Sequence, residues 1–403
     1  MYGHPVVRFA LSNTPAVRVG GGEQKLNIPA FSCPLPSPAF TLQETFIVGQ
    51  DSKEQSGILL GDGLVIRQLK EDGAQEPVGR MHFHLINFKH YWGEPLAQSH
   101  GDTVRGWKGR AVFLFGKYIV TLDRFREASE RLEEAHLVNG YGFTHVGSMC
   151  RVDNKLFDPD KGAEALECLG WFFSFANGSY CPCVLPTGYR YLKQPLWQQW
   201  NMPHVSLNNS NQNWFSAIRS LECFQAADCF YKCWQDEAKR QWLKTAIGLY
   251  LASTRTTDNI ELALANAQIP LEMLTWVALM EENSLMSEES FEKLPAADKI
   301  RALSFWLNVS TAIPHRLEEL RQAMPGVDLP KAIVDLRNLL IHQTPQNRRK
   351  YLQVPEGAFY HAWQVNLWYI ELTLLKLTGY SGHYFNRIGK PSEKSYDVLP
   401  WTK

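Results

Sequence analysis

An arginine and a histidine five residues apart, Arg337 and His342, are the side chains in this sequence best suited to chemistry. RNA is cleaved when its 2′-hydroxyl loses a proton and attacks the adjacent phosphorus. A neutral histidine can accept that proton or protonate the leaving oxygen. An arginine can hold the phosphate with two hydrogen bonds and stabilise its added charge. With Asn338 as a further donor, the pattern predicts cleavage of RNA without a metal or cofactor, and it excludes DNA, which lacks the hydroxyl.

A helix is predicted to carry these residues, from Pro330 to about Gln343. Proline suits the first turn, because its fixed φ matches a helix and no N–H is needed there. The apolar positions recur at helical spacing and are Ile333, Leu336, Leu340 and Ile341. Five residues correspond to about 140° around a helix, so Arg337 and His342 do not share a face. Either the arginine reaches around the helix, or a second copy of it supplies the partner groups.

The same spacing occurs again at Arg131 and His136, with Leu132 after the arginine. That copy lies in a predicted helix over about 125–137 that is dense in Glu and Arg. Ion pairs three or four residues apart account for its charges, so it is interpreted as a solvated face.

Three basic residues follow the Arg337 pattern and form a candidate RNA-binding run, for which a solvated charge run is the alternative: Arg348, Arg349 and Lys350. Glu272 is a candidate supporting residue that hydrogen-bonds either Arg337 or a neighbouring helix, and the structural role is favoured. Three polar residues near the end of the chain either line a site or dock the C-terminal tail, and docking is favoured. They are Tyr384, Asn386 and Arg387. Three histidines bind a metal or pack on a strand, with packing favoured: His82, His84 and His90.

The bulk composition narrows the class of protein. The 403 residues are 45% hydrophobic and 20% charged, enough for two or three domains with buried cores. The formal net charge is zero, which excludes a globally basic nucleic-acid binder and leaves room for a local basic groove. The eight cysteines lack the paired spacing of a zinc site and are interpreted as free thiols. No secretory signal or membrane span is found, so a cytoplasmic location is expected.

The fold class predicted is α+β, with a β-rich domain over residues 1–205 and an all-α domain over residues 206–403. Short runs rich in Val, Ile, Phe and Tyr alternate in the first half, as in residues 81–88 and 111–122. A helix is predicted over residues 161–176, and a hairpin that turns at Pro186-Thr187-Gly188 follows. Beyond about residue 215 the hydrophobic period changes to 3.6, which predicts a bundle of five or six helices with Pro270 kinking or breaking one of them.

The motif Arg337-Asn338-Leu339-Leu340-Ile341-His342 resembles the R-(N/D/H)-x3-H signature of HEPN ribonucleases. Its place late in a helical bundle, followed by a long Trp-bearing helix, is similar to that superfamily. Over about residues 215–390 the chain resembles ApeA-type anti-phage HEPN proteins more closely. The features are Leu271-Glu272-Met273-Leu274, Leu336 to His342, Trp368 to Leu372 and Gly379 to Arg387.

This resemblance implies a homodimer whose composite site pairs Arg337 and His342 from both subunits. It also implies an endoribonuclease that leaves a 2′,3′-cyclic phosphate, with tRNA among the candidate substrates, acting as a toxin in abortive infection. The N-terminal domain would then sense a phage-derived or protein trigger or restrain the nuclease. Toxins of this superfamily that are paired with a nucleotidyltransferase carry Tyr two residues after the histidine. Thr344 stands there instead, which argues against that control. The alternatives are a non-catalytic HEPN module that binds RNA or protein, or a subunit of a larger RNA-guided complex.

Overall fold

The computed structural model describes residues 8–10, 39–50, 56–67, 75–100, 103–125, 141–191, 195–200, 203–206, 212–255, 258–389 and 396–402. An antiparallel sheet occupies the N-terminal half and helices dominate the C-terminal half, which confirms the predicted α+β class with a β-rich start. The predicted helix that contains Arg131 and His136 lies outside the described residues. The domain boundary at residues 205 and 206 stays a prediction.

Ten described strands form one antiparallel sheet in the order β1-β3-β10-β9-β4-β8-β7-β6-β5, with β2 also paired to β3. Their bounds are β1 Arg8–Ala10, β2 Ala39–Gln50, β3 Ser56–Arg67, β4 Arg80–Ile86, β5 Glu94–His100, β6 Thr103–Phe115, β7 Tyr118–Arg124, β8 Phe143–Arg151, β9 Val184–Tyr189 and β10 Pro195–Trp200.

Strand β4 shows how the sequence pattern becomes a two-faced sheet. Its apolar positions are fully buried and are Met81, Phe83 and Leu85. His82 and His84 alternate with them on the other face, because successive side chains of a strand point to opposite sides. Their rings meet Tyr189 and Phe143 edge-on, with centroids 5.3 and 5.5 Å apart. These two histidines therefore have the packing role that the sequence favoured.

Two strand predictions need correction. Residues 111–122 belong to two strands, β6 and β7, joined at Gly116, whose φ of 61° suits glycine. Residues Pro186-Thr187-Gly188 lie inside β9, so the predicted turn is wrong, and the chain turns between Tyr189 and Pro195. The β4 register shifts at this place, and Val78 comes so close to Gly188 that a Cβ there would lie 2.8 Å from it. Proline and glycine here mark a bulge and a close approach.

Helix α1, Pro159–Asn177, covers one face of the sheet and matches the predicted helix closely. Asp158 caps its start by accepting a hydrogen bond from the Asp160 backbone N–H at 2.8 Å. Gly178 ends it with a φ of 73°. The buried face of α1 includes Phe172 and Phe173, and Phe173 packs against Phe83 and Phe88 of the sheet region.

The described residues of the C-terminal half include five helices of at least twelve residues, which fits the predicted bundle. The described helices are α2 Ser220–Cys223, α3 Ala226–Trp234, α4 Glu237–Arg255, α5 Ile260–Trp276, α6 Glu288–Glu292, α7 Ala296–Leu307, α8 Glu318–Ala323, α9 Leu329–Ile341, α10 Pro345–Tyr351 and α11 Glu356–Leu377. This half is not wholly helical, because strands β11, His383–Phe385, and β12, Tyr396–Val398, pair near the end of the chain. Short strands of three residues carry too little periodicity to be recognised from sequence.

Helix α5 continues through Pro270 and ends in a π-helical turn, Val277–Glu281. Most of its apolar residues are buried, as in a helix of the protein core, and a few are exposed. Among the described residues, Ile260–Glu281 has the length and composition to cross a membrane, yet 61% of its most apolar window is buried inside the protein.

Aromatic side chains join the sheet to the helices. Phe215 packs against Phe88, which follows β4, and against Phe224 of the helical half. Trp214 stacks at a tilt on Phe175 of α1, with ring centroids 5.0 Å apart. One hydrophobic core therefore runs from the sheet into the helices. The seven cysteines among the described residues are free thiols, as predicted.

His145 in β8 makes folding stability depend on pH. It is fully buried, and its ring stacks on Tyr91 with centroids 5.2 Å apart. Burial and the nearby positive charge of Arg124 hold the pKa of His145 well below 6.5. At acid pH the unfolded chain therefore binds a proton at this histidine that the folded chain does not bind. As a result, the free energy of unfolding falls as the pH drops below about 6.5.

We expect His145→Gln to make the free energy of unfolding depend less on pH below about 6.5, because glutamine does not titrate. Urea unfolding at pH 5 to 8 measures it, and the exposed His315 supplies the control His315→Gln. An unchanged slope in the His145 variant would contradict the assignment.

Candidate active site

Helix α9 carries the Arg337 pattern and lies against α5, α7 and α11. Asp328 caps its start by accepting a hydrogen bond from the Lys331 N–H at 3.1 Å, and Pro330 lies in its first turn as predicted. Arg301 of α7 forms an ion pair with Asp328, 2.6 Å from Nε to Oδ2, which fixes this end. Ile333 and Leu336 of the predicted apolar stripe are buried and fix α9 in the core, whereas Ile341 at its end is exposed.

His342 is the first residue beyond α9 and is exposed to solvent. Its backbone is held firmly, because its N–H donates to the Asn338 carbonyl at 2.9 Å and its carbonyl accepts from the Asn347 amide at 2.7 Å. Its imidazole forms no hydrogen bond or ion pair with the residues that the structure describes. The ring is therefore accessible to a bound molecule.

Arg337 lies in the same last turns, with 27% of its side chain exposed. One terminal nitrogen donates to the Asn338 carboxamide oxygen at 3.2 Å, and the other lies 3.9 Å from the Glu272 carboxylate. Its Nε is enclosed and has no acceptor in the part of the chain that the structure describes. A distance of 3.9 Å is too long for a hydrogen bond. The terminal nitrogen near Glu272 can therefore still donate hydrogen bonds to a phosphate.

Glu272 of α5 is held by two amide side chains in sequence, Gln268 of the same helix and Asn366 of α11. The Gln268 amide donates to Glu272 at 3.1 Å, and the Asn366 amide of α11 donates to Gln268 at 3.3 Å. Gln268 and Asn366 are buried, and neither was predicted to belong to the site. The spacing of four residues from Gln268 to Glu272 was a usable signal, whereas Asn366 is brought in only by the tertiary fold.

The basic run is displayed on α10, directly after the site. Its three members are exposed, and no ion pair joins them to any of the described residues: Arg348, Arg349 and Lys350. Thr344 caps this helix by accepting a hydrogen bond from the Asn347 N–H at 3.2 Å. Thr344 therefore has a structural task, which is to start α10 beside His342.

The C-terminal tail is docked by a buried ion pair, as the sequence favoured. The Arg387 guanidinium donates to both oxygens of Glu371 on α11, and Tyr250 of α4 donates to the same carboxylate at 2.6 Å. Asn386 holds the tail hairpin by donating to Asp397 at 2.8 Å, and Tyr384 is buried. These residues join α4, α11 and the tail.

The part of the chain that the structure describes brings no three metal-ligating side chains together. Asn338 and Glu272 flank Arg337, whereas His342 follows at the end of α9 and its side chain contacts none of these three among the described residues. The basic run comes next, on α10.

Comparison with known proteins finds similarity without an assigned function. Residues 73–211 match the YopA central domain and residues 236–397 match the YopA C-terminal domain. A curated relative from Bacillus subtilis (strain 168), the SPbeta prophage-derived uncharacterized protein YopA, is 25% identical over 370 residues. The match covers 90% of this chain and 81% of that protein. No solved structure matches the chain significantly. Most of the chain is thus similar to a prophage-derived protein, through its central and C-terminal domains.

Proposed function

We propose that this protein is a metal-independent endoribonuclease of the HEPN type. The observation that carries the proposal is the end of α9. Arg337 in its last turns keeps a terminal nitrogen that is not hydrogen-bonded to Glu272, and the exposed His342, which directly follows the helix, has no side-chain partner among the described residues. An inert scaffold is expected to bury this histidine away from any groove, with its ring nitrogens paired inside the protein. Exposure of His342 favours chemistry over a scaffold.

The roles follow from the chemistry of the groups. His342 accepts the proton of the 2′-hydroxyl or protonates the leaving oxygen. Arg337 binds the phosphate and stabilises the charge that builds up on it in the transition state. Asn338 holds one nitrogen of Arg337, and Glu272 lies on its other side, so both orient the guanidinium. Arg348, Arg349 and Lys350 bind phosphates further along the RNA.

A homodimer supplies the second pair of groups. His342 and Arg337 lie about 140° apart around α9, so two copies of the helix facing each other combine them better than one copy does. Exposed apolar side chains flank the site: Ile341 has 47% of its surface exposed and Leu352 has 81%. Such residues are enriched where subunits meet.

We expect Ile341→Asp to shift the protein from dimer to monomer, because a carboxylate would be buried at the interface. Light scattering after size-exclusion chromatography measures the mass. Leu285→Asp, an exposed leucine outside α9 and α10, serves as the control. A wild-type protein that is monomeric at all concentrations would contradict the dimer.

Within this proposal the enzyme acts in the cytoplasm as an abortive-infection toxin, and the sheet region senses the trigger or restrains the nuclease. The shared core between sheet and helices supports such coupling, since Phe215 and Phe224 contact both regions. The prophage origin of the relative YopA fits a role in conflict between phages. A second candidate is an RNA-binding module without catalysis, which the basic run on α10 favours.

The deciding experiment incubates the purified full chain with total cellular RNA in EDTA. The proposal expects fragments that end in a 2′,3′-cyclic phosphate, and no cleavage of an oligonucleotide whose riboses are all 2′-deoxy. Binding of RNA without any cleavage, in the presence and absence of phage lysate, would favour the binding module.

A further inference from the structure

A cavity of about 280 Å³ opens between α5, α6 and α7, and Glu272, the neighbour of Arg337, forms part of its wall. Its lining includes Glu272, Trp276, Phe291, Glu292 and Lys299. Ligand cavities in proteins commonly start at about 300 Å³, so this one suits a single aromatic ring system rather than an oligonucleotide. Of these lining residues, the proposed cleavage chemistry uses Glu272 alone.

The wall of the cavity is aromatic. Trp276 and Phe291 meet edge-on with ring centroids 5.2 Å apart, and Phe291 is almost fully buried. Trp276 keeps part of its surface exposed, so its ring is available to a ligand. It is the last residue of α5 before the π-helical turn, where the Glu282 N–H reaches back five residues to Val277 at 3.0 Å. Such turns are frequent at functional sites, and bases that leave a stack bind aromatic side chains.

The polar groups of the cavity select among bases. Glu292 is exposed at the end of α6 and forms no ion pair with any described residue, and the Lys299 ammonium lies 4.6 Å over the Phe291 ring. A carboxylate accepts two hydrogen bonds side by side. Guanine presents two adjacent donors on its Watson–Crick edge, N1–H and the N2 amine, and an acceptor at O6 that a lysine can meet. Adenine and cytosine each place a ring acceptor next to their single amine.

The cavity shares Glu272 with the candidate active site. Glu272 and Trp276 lie four residues apart on one face of α5, and Glu272 lies 3.9 Å from Arg337. A nucleotide whose phosphate contacts Arg337 can therefore place its base against Trp276.

We infer that this cavity binds a guanine base of the RNA next to the cleaved phosphate. The inference rests on the proposed ribonuclease function, and it names the base that the site recognises. Trp276 provides the stacking surface, Glu292 accepts the two donors of guanine, and Lys299 donates to its O6.

The test is equilibrium dialysis of the full chain against labelled guanosine, adenosine and cytidine. Guanosine carries no phosphate, so its binding is measured apart from cleavage. We expect guanosine to bind at least about tenfold more tightly than adenosine, and Trp276→Leu to weaken guanosine about tenfold. Glu292→Gln, at an exposed position that does not endanger folding, is expected to remove the preference for guanosine. Phe305→Leu, on the 87% exposed Phe305 of α7, is the matched aromatic control and should change nothing.

Equal binding of the three nucleosides, or an unchanged preference in Glu292→Gln, would overturn the inference. Cleavage of total RNA by the same preparations is scored separately. If RNA is cleaved but guanosine is not preferred, the guanine site is rejected and the proposed ribonuclease function stands. If guanosine is preferred but RNA is not cleaved, the proposed ribonuclease function is rejected and the cavity is a nucleoside-binding site.

Discussion

Replacing His342 by alanine is expected to lower the rate of RNA cleavage in EDTA by at least about 100-fold. General acid–base catalysis by a positioned side chain contributes about 10²–10⁴-fold, and alanine cannot exchange a proton. Arg337→Ala is expected to lose about 10²–10³-fold, as for the loss of one group that stabilises transition-state charge. Because His342 is exposed and Arg337 is not part of a tight ion pair, both variants should fold normally.

The control is His315→Ala, which removes another exposed histidine of the helical half. Its cleavage rate should match that of the wild type. Far-ultraviolet circular dichroism and urea unfolding confirm that each variant is folded. Wild-type rates in both His342→Ala and Arg337→Ala would show that any cleavage comes from another site or from a contaminating nuclease.

Replacing Arg387 by methionine is expected to lower the free energy of unfolding by about 3–5 kcal/mol. The Arg387 and Glu371 side chains are each only 1% exposed, so the substitution leaves a carboxylate buried without its counter-charge. Tyr250 still donates to that carboxylate but does not neutralise it. Unfolding in urea, followed by tryptophan fluorescence, measures the change.

The double variant Glu371→Leu, Arg387→Met is expected to recover part of the loss, because no uncompensated charge stays buried. Arg151→Met removes a more exposed ion pair, with Asp153, and should lower the free energy of unfolding much less, because water screens exposed charges. A loss in Arg387→Met no larger than in Arg151→Met would contradict the structural role of the buried pair.

The sequence by itself determined the α+β class, the β-rich start, helix α1 and helix α9. These features have local causes. Met81, Phe83 and Leu85 alternate along a strand, Gly178 supplies the left-handed residue that ends α1, and Pro330 suits the first turn of α9. The candidate residues Arg337, Asn338 and His342 were likewise evident from their types and spacing.

Only the tertiary structure decided which groups surround these residues. Gln268 and Asn366 become neighbours of the site because α5 and α11 pack together, although 98 residues separate them. Pro186 and Gly188 have the composition of a turn, yet they lie in β9 because pairing with β4 and β10 outweighs local preference. The pairing of Arg387 with Glu371 and the cavity at Trp276 arise in the same way. Local propensity acts over a few residues, whereas burial and hydrogen bonding between distant segments depend on the whole packed chain.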